Sequence, residues 1–300
     1  MSSKVYSEIK RIPDGIASGK LTEGCLVLEG GAFRGVYSQG VMDLLMQKDI
    51  NFQCVIGVSA GAMSGAGYVA GQIGRSARVT IGQRHNPDYV GLKASLKSRS
   101  LIRLDYLLKD YNKIEPLRMD RLQSDDRRFV VVATNLNTGT AAYFEKDNCS
   151  DIITAIKASA SMPVISPIVH LDGEPYLDGG CSAKIPYQWA LHEGYKKIVI
   201  VRTRERGYRK KAKKDRLAAG MYCKYPNFIE ALENCDTAYN KLCDDIEEQE
   251  KLGRVFTVYP SEPVTVKRVD PDVEKLGHLY WLGYYDMLNK LKELKEYLEK

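Results

Sequence analysis

Short apolar runs that alternate with helical segments most constrain what this chain can fold into. Residues 25–29 (CLVLE) and 53–57 (QCVIG) have the composition of buried strands, and each leads through a glycine-rich turn into a helical pattern. Further strands are predicted within 128–144 and at 197–202. Continuous apolar strands between helices are typical of a parallel sheet that is covered on both faces. We therefore predict a three-layer α/β/α fold with a mostly parallel central sheet.

The length of 300 residues fits one large α/β domain, and the sequence contains no internal repeat. Residues 1–23 are polar and form a predicted N-terminal lead-in. The linker-like stretch 202–220 lies between a strand and a helix, so it does not mark a domain boundary. We predict a single domain over 24–300, with a C-terminal helical region over 226–300.

Composition excludes several classes of protein. The sequence has no apolar run of about 18 residues and no apolar signal segment near its start, which argues against a membrane span or a signal peptide. The seven cysteines and four histidines form no CxxC, HxxxH or HExxH pattern. We therefore predict a cytoplasmic protein with reduced thiols, no metal site and no cofactor.

The strongest chemical signal is the segment Gly57-Val58-Ser59-Ala60-Gly61, which lies between a predicted strand and a predicted helix. A GxSxG segment in this context is typical of a nucleophile elbow, a sharp turn with the serine at its tip. Gly57 and Gly61 permit the strained backbone and the close approach of neighbouring segments. The alternative interpretation is a glycine-rich turn in which Ser59 only caps the following helix.

A second glycine-rich turn, Gly30-Gly31-Ala32-Phe33-Arg34-Gly35, also joins a strand to a helix. It lacks the GK[ST] ending of a P-loop, and Ala32 stands where a dinucleotide fingerprint needs glycine. Free backbone N–H groups at such a helix start can instead stabilise an oxyanion, helped by the helix dipole. The alternative is a turn without a catalytic role. Because a candidate nucleophile follows closely, we favour the oxyanion interpretation.

A serine nucleophile needs a base, and no histidine occupies the short loop after a late strand where an α/β-hydrolase places it. The candidates for a Ser-His-Asp triad are His85, His170, His192 and His278. The other candidate base is Asp178, which ends the second strand of a predicted hairpin over 168–180 and precedes Gly179 and Gly180. An ordinary Asx turn would also explain this Asp-Gly-Gly segment.

Together these segments resemble the patatin-like phospholipase family, and most closely its bacterial branch. The resemblance covers about residues 24–202 and rests on four motifs in a fixed order. They are the loop Gly30 to Gly35 with Arg34 in its basic position, the elbow Gly57 to Gly61, the block Ala158-Ser159-Ala160-Ser161-Met162-Pro163, and Asp178-Gly179-Gly180. Each motif is weak alone, but the ordered combination is specific.

The resemblance implies a Ser-Asp dyad in which Ser59 is the nucleophile and Asp178 accepts its proton. It also implies an oxyanion hole built from Gly30, Gly31, Ala32, Arg34 and Gly35, and hydrolysis of lipid acyl esters without a metal. Ala32 departs from the family pattern, in which many members have a third glycine. The alternatives are a small-ester or thioester hydrolase and a non-catalytic lipid-binding or regulatory protein on the same fold.

Residues 202–216 hold nine basic and two acidic side chains, so they carry a charge of +7 while the whole chain carries +6. A nucleic-acid-binding protein would spread its basic residues over a face and interleave aromatic ones, so we predict no nucleic-acid partner. One interpretation is a mobile, solvated surface loop. The other is peripheral contact with an anionic membrane, which would attract such a run.

Overall fold

The computed structural model describes residues 5–91, 93, 94, 96, 100, 102–211 and 216–300. The β-strands among them are β1 (Gly15–Ile16), β2 (Thr22–Leu28), β3 (Phe52–Val58), β4 (Gln72–Ile73), β5 (Arg128–Asn135), β6 (Ala141–Phe144), β7 (Val169–Leu171), β8 (Glu174–Asp178), β9 (Ile198–Val201) and β10 (Phe256–Val258). The α-helices are α1 (Val36–Gln47), α2 (Ala60–Val69), α3 (Arg75–Gly82), α4 (Met119–Leu122), α5 (Ile152–Ser159), α6 (Tyr187–His192), α7 (Arg216–Met221), α8 (Pro226–Lys251), α9 (Val273–Asn289) and α10 (Leu291–Glu299).

The central sheet has the strand order β10-β9-β2-β3-β5-β8-β7, and β6 also pairs with β5. Five neighbouring strands, from β10 to β5, run parallel to one another. β8 runs antiparallel to β5 and forms a hairpin with β7. The predicted mostly parallel sheet is therefore confirmed.

The two faces of the sheet bury separate apolar cores. In β2, Leu26 and Leu28 belong to one core, whereas Cys25 and Val27 belong to the other. Helices α1, α2, α5 and α9 contribute to the first core, and α6 and α8 contribute to the second. Because alternate residues of a strand point to opposite faces, a continuous apolar strand supplies both layers at once. The predicted three-layer α/β/α architecture is confirmed.

The C-terminal region joins this architecture at two places. β10 adds a parallel strand beside β9 at the sheet edge. α9 packs on α1, where the Tyr280 hydroxyl donates to Asp43 (2.8 Å) and the Tyr37 hydroxyl donates to Asp286 (3.0 Å). Among the described residues, no helix combines the length and apolar character needed to cross a bilayer.

The register around β5 brings two distant strand ends together. Val132 pairs with Val58 of β3 on one side and with Tyr143 of β6 on the other. The next residue, Ala133, pairs with Ala142 of β6 and with Asp178 of β8. β8 therefore lies on the same side of β5 as β3 and begins its pairing where β3 ends. The last residue of β8 meets the first residue after β3.

Candidate active site

Ser59 occupies a strained turn between β3 and α2. Its backbone has φ 56° and ψ −120°, a region that non-glycine residues rarely adopt. Gly61 permits this turn, because a Cβ at that position would lie 2.6 Å from the carbonyl oxygen of Leu28. At Gly57, a Cβ would lie equally close to the Gly61 backbone. The sequence-predicted elbow geometry is present, and the Ser59 side chain stands at its tip.

The Ser59 hydroxyl donates a hydrogen bond of 2.7 Å to Asp178 Oδ2. Both residues are buried, with 6% and 7% of their surface exposed. The other carboxylate oxygen, Oδ1, accepts a hydrogen bond of 2.7 Å from the Gly180 N–H. Gly179 is required here, because a Cβ would collide with the carbonyl oxygen of Val132. The two side chains are thus aligned in a nearly dry environment.

Burial raises the pKa of the Asp178 carboxyl above its ordinary value, since desolvation disfavours the charged form. The hydrogen bonds from Ser59 and Gly180, and the positive charges of Lys184 and Arg268, act in the opposite direction. An ionised carboxylate with a raised pKa is a stronger base than one in water. The arrangement is suited to accept the proton of Ser59.

The loop Gly30 to Gly35 lies beside Ser59. The N–H groups of Gly30, Gly31 and Ala32 have no hydrogen-bond acceptor among the described residues, whereas the next N–H, of Phe33, donates to the carbonyl of Arg268. Ala32 has φ 50°, so the alanine adopts a conformation that favours glycine. Such free N–H groups are what an oxyanion requires.

Two further residues of this loop, Arg34 and Gly35, support the loop and do not themselves supply free N–H groups. The Arg34 side chain donates from Nε to the carbonyl of Gly31 (3.2 Å) and braces the loop. Gly35 is the N-cap of α1, and a Cβ there would lie 2.8 Å from the Cβ of Ala60 at the start of α2. The N-termini of two helices therefore converge beside Ser59, where their dipoles favour negative charge.

Ser159 is a site residue whose contacts the sequence did not predict. Its buried hydroxyl accepts a hydrogen bond of 2.8 Å from the Ser59 N–H and donates one of 2.6 Å to the carbonyl of Val132. It thus ties the strained elbow to β5. The motif block 158–163 was the only signal for this residue, and nothing in its local pattern indicated the partner.

A buried ion pair lies beneath the glycine-rich loop and was also missed. Glu29, the residue before Gly30, accepts hydrogen bonds from Arg202 Nε (3.0 Å), the Thr203 N–H (2.7 Å) and the Tyr239 hydroxyl (2.9 Å). The Thr203 hydroxyl donates to the carbonyl of Gly30 (3.1 Å). Glu29 ends an apolar strand and Arg202 opens a basic run, so local sequence gave no reason to pair them.

An apolar cavity of about 60 Å³ opens beside Ser59. Its lining includes Ala32, Phe33, Met63, Tyr89, Leu104 and Met162. Pockets that bind drug-sized ligands have volumes of about 300–1,000 Å³, so this cavity is small for a long acyl chain. The apolar lining is suited to the first part of an acyl chain.

The histidines and metal-ligating side chains lie elsewhere. His170 and His278 are exposed, the His192 side chain is 88% exposed, and His85 has a buried Nε2 without a hydrogen-bond partner. None of the four hydrogen-bonds to Ser59 or Asp178. In the part of the chain that the structure describes, no three His, Cys, Asp or Glu side chains are grouped closely enough to bind a metal ion.

Residues 202–211 are less solvated than a free surface loop, because Arg202 is buried and acidic side chains of α8 pair with two further arginines; their mobility remains a prediction. Arg206 contacts Glu250 (2.7 Å), and Arg209 contacts Asp244 (2.5 Å) and Glu247 (3.1 Å). The net charge of a segment does not reveal that acidic side chains from a later helix, here α8, neutralise part of it. Residues 212–215 of the run lie outside the described residues.

Comparisons with known proteins agree with these features. A family model described as patatin-like phospholipase matches residues 26–191, and a model for a domain of unknown function matches residues 225–299. The uncharacterized protein YjjU of Escherichia coli K12 is 29% identical over 268 residues, which are 86% of this chain and 74% of that protein.

Two other relatives match over a shorter span. A cGAMP-activated phospholipase of Pseudomonas aeruginosa is 26% identical over 59% of this chain and 58% of its own length. An uncharacterized NTE family protein of Mycobacterium tuberculosis H37Rv is 25% identical over 54% of this chain and 43% of its own length. Among solved structures, VipD from Legionella pneumophila has a TM-score of 0.49 and 15% identity, covering 91% of this chain and 67% of that one.

Proposed function

Because this chain belongs to the patatin-like phospholipase family, we propose that it hydrolyses carboxylic esters of lipids with a Ser59-Asp178 dyad. The family predicted from the four ordered motifs is confirmed. The observation that carries the proposed dyad is the 2.7 Å hydrogen bond from the Ser59 hydroxyl to Asp178. It lies next to backbone N–H groups that have no acceptor in the part of the chain that the structure describes. One relative carries the name of a phospholipase, which agrees with a phospholipid substrate.

The proposed reaction has two steps. Ser59 Oγ attacks the ester carbonyl carbon while its proton passes to Asp178 Oδ2, and the N–H groups of Gly31 and Ala32 stabilise the tetrahedral oxyanion. The ester C–O bond then breaks, the alcohol leaves with the proton from Asp178, and an acyl-Ser59 remains. In the second step Asp178 takes a proton from water, whose oxygen attacks the acyl carbon. The fatty acid leaves and the proton returns to Ser59.

Activity on a p-nitrophenyl ester tests the dyad. We expect Ser59→Ala and Asp178→Asn each to lower kcat by about 10³-fold or more, as loss of a nucleophile or its base does in serine hydrolases. Asp172→Asn is a matched control, because Asp172 lies at the exposed turn of the same β7–β8 hairpin. Full activity in either dyad variant, or loss of activity in His278→Ala while Asp178→Asn stays active, would refute the dyad.

A hydrolase for short acyl esters or thioesters is the second candidate, and the small volume of the apolar cavity favours it. A series of p-nitrophenyl esters and acyl thioesters of increasing chain length separates the two candidates. A lipid hydrolase is expected to increase its kcat/KM up to long chains. Labelling of Ser59 by a fluorophosphonate distinguishes both enzymes from a non-catalytic lipid-binding protein.

We also propose peripheral contact with an anionic lipid surface through 202–216. Lys211 is exposed, and Leu217 and Met221, one helical turn apart on the adjoining α7, are 64% and 54% exposed. Exposed apolar side chains beside basic ones are typical of interfacial segments. Sedimentation with phosphatidylglycerol vesicles should fall in a Leu217→Ser/Met221→Ser variant and at high salt. Unchanged sedimentation in both conditions would contradict this contact.

Location in the cytoplasm remains a prediction.

A further inference from the structure

A cluster of basic side chains lies beside the dyad. In the proposed mechanism these side chains contact no reacting atom and only contribute positive charge near Asp178. We call it the cationic cluster; its members are Arg34, Lys184, Arg204, Lys210 and Arg268. These residues come from the oxyanion loop, the segment after Asp178, the start of the basic run and the segment before α9. None of them lines the apolar cavity.

Two of the five share a single carboxylate. Lys184 Nζ and Lys210 Nζ lie 3.9 Å and 3.5 Å from the same oxygen, Oδ1 of Asp236. Lys210 is held in place by Asn240, which accepts from its N–H (2.8 Å) and donates to its carbonyl (2.9 Å). The Lys184 side chain lies over the turn that positions Asp178, with its Cγ 3.7 Å from where a Gly180 Cβ would be.

The three arginines have no carboxylate contact among the described residues. Arg34 donates to the Gly31 carbonyl, and Arg204 donates to the Val264 carbonyl (2.8 Å) and stacks over Tyr208. Arg268 is exposed, and its carbonyl accepts the Phe33 N–H (3.3 Å), which places Arg268 next to the oxyanion loop. The cluster therefore contains more positive charge than its neighbours neutralise.

Burial and mutual repulsion lower the pKa of two members of the cluster. Burial lowers the pKa of Arg34 to about 10, and repulsion from Arg204 and Arg268 contributes. Burial likewise lowers the pKa of Lys210 to about 8, with Lys184 the next largest cause. An anion placed among these groups would relieve their mutual repulsion. Lys184 lies over the Gly180 turn and Arg268 contacts the loop beside Ser59, so an anion between them would lie close to the reacting ester.

We infer that the cationic cluster is a headgroup subsite, which binds the phosphate of a phospholipid with net negative charge while Ser59 attacks its acyl ester. This inference rests on the proposed function. Arginine and lysine side chains recognise phosphate through charge-assisted hydrogen bonds. A choline headgroup would bring a further cation toward the cluster, so zwitterionic lipids are disfavoured. The preferred substrates are phosphatidylglycerol or phosphatidic acid.

The first test compares kcat/KM on phosphatidylglycerol and phosphatidylcholine with identical acyl chains. We expect wild-type protein to prefer phosphatidylglycerol by about 10-fold or more, and Lys210→Met and Arg268→Met to lose most of that preference through a raised KM. Lys267→Met is the matched control, because Lys267 is exposed and adjacent to Arg268. Arg268→Met also guards against misfolding, since its side chain is at the surface. Equal losses on both lipids and on a p-nitrophenyl ester would overturn the subsite.

The second test measures binding without turnover, in the Ser59→Ala protein, by calorimetry. Glycerophosphoglycerol should bind, and its affinity should fall about 10-fold with Arg268→Met added. If inorganic phosphate binds as tightly and no preference for phosphatidylglycerol exists, the cluster is a free-phosphate site and the headgroup inference is wrong. If glycerophosphoglycerol binds but the wild-type protein hydrolyses no ester, the subsite stands and the proposed function fails.

Discussion

Replacing Ser159 by alanine tests whether one hydroxyl holds the turn at Ser59 in its strained shape. The change removes the acceptor of the Ser59 N–H and one donor to the Val132 carbonyl, both in the buried interior. A buried N–H left without a partner costs about 1–3 kcal/mol, and a lost hydrogen bond about 1 kcal/mol. The expected loss of stability is therefore about 2–4 kcal/mol.

Ser161→Ala is a matched control, because Ser161 lies two residues away and its hydroxyl makes one hydrogen bond, to the carbonyl of Lys157. Its expected cost is about 1 kcal/mol. In a chain of this length 1 kcal/mol lowers Tm by about 2 °C. Thermal unfolding should therefore show a decrease of about 4–8 °C for Ser159→Ala and about 2 °C for the control.

Activity supplies the second readout. Ser59 keeps φ 56° and ψ −120° only while its surroundings hold it there, so its hydroxyl should lose alignment with Asp178 when Ser159 is truncated. We expect kcat on a p-nitrophenyl ester to fall about 10–100-fold in Ser159→Ala and less than about 3-fold in Ser161→Ala, since 1.4 kcal/mol corresponds to a factor of about 10. Equal Tm and equal kcat in the two variants would refute this role of Ser159.

Substitutions at three other positions have defined outcomes. Ala32→Val places a β-branched side chain at φ 50°, so Tm should fall and kcat/KM should fall about 10-fold. Ala32→Gly should stay active. A fully active valine variant would contradict the oxyanion role. Tyr239→Phe removes the hydroxyl that donates to the buried carboxylate of Glu29, so the free energy of unfolding should fall by about 1.5–3 kcal/mol. An unchanged Tm would show that this hydrogen bond is dispensable. Burial raises the pKa of Asp43 to about 7 from an ordinary 3.8, so the folded state retains a proton that the unfolded chain releases, and stability falls as pH rises from about 4 to 7. The loss of stability with rising pH is at most about 1.4 kcal/mol per pH unit, and Asp43→Asn should not show it. Parallel curves of Tm against pH for the wild-type and Asp43→Asn proteins would contradict this prediction.

Local sequence determined the parts of the molecule whose partners are close in the chain. The strand before Ser59, the small residues after it and the hairpin that ends at Asp178 follow from hydrophobic pattern and turn chemistry alone. The fold class also followed, because continuous apolar strands between helices have few other ways to bury both of their faces. The order of four motifs then identified the family.

Tertiary structure decided which of these parts meet. Ser59 and Asp178 are 119 positions apart and come together because β8 pairs with β5 just beyond the end of β3. Register between distant strands depends on packing, so no local pattern encodes it. The basic run shows the same limit: its positive charge is evident in the sequence, but its pairing with acidic side chains of α8, and the burial of Arg202 against Glu29, depend on segments that only folding brings into contact.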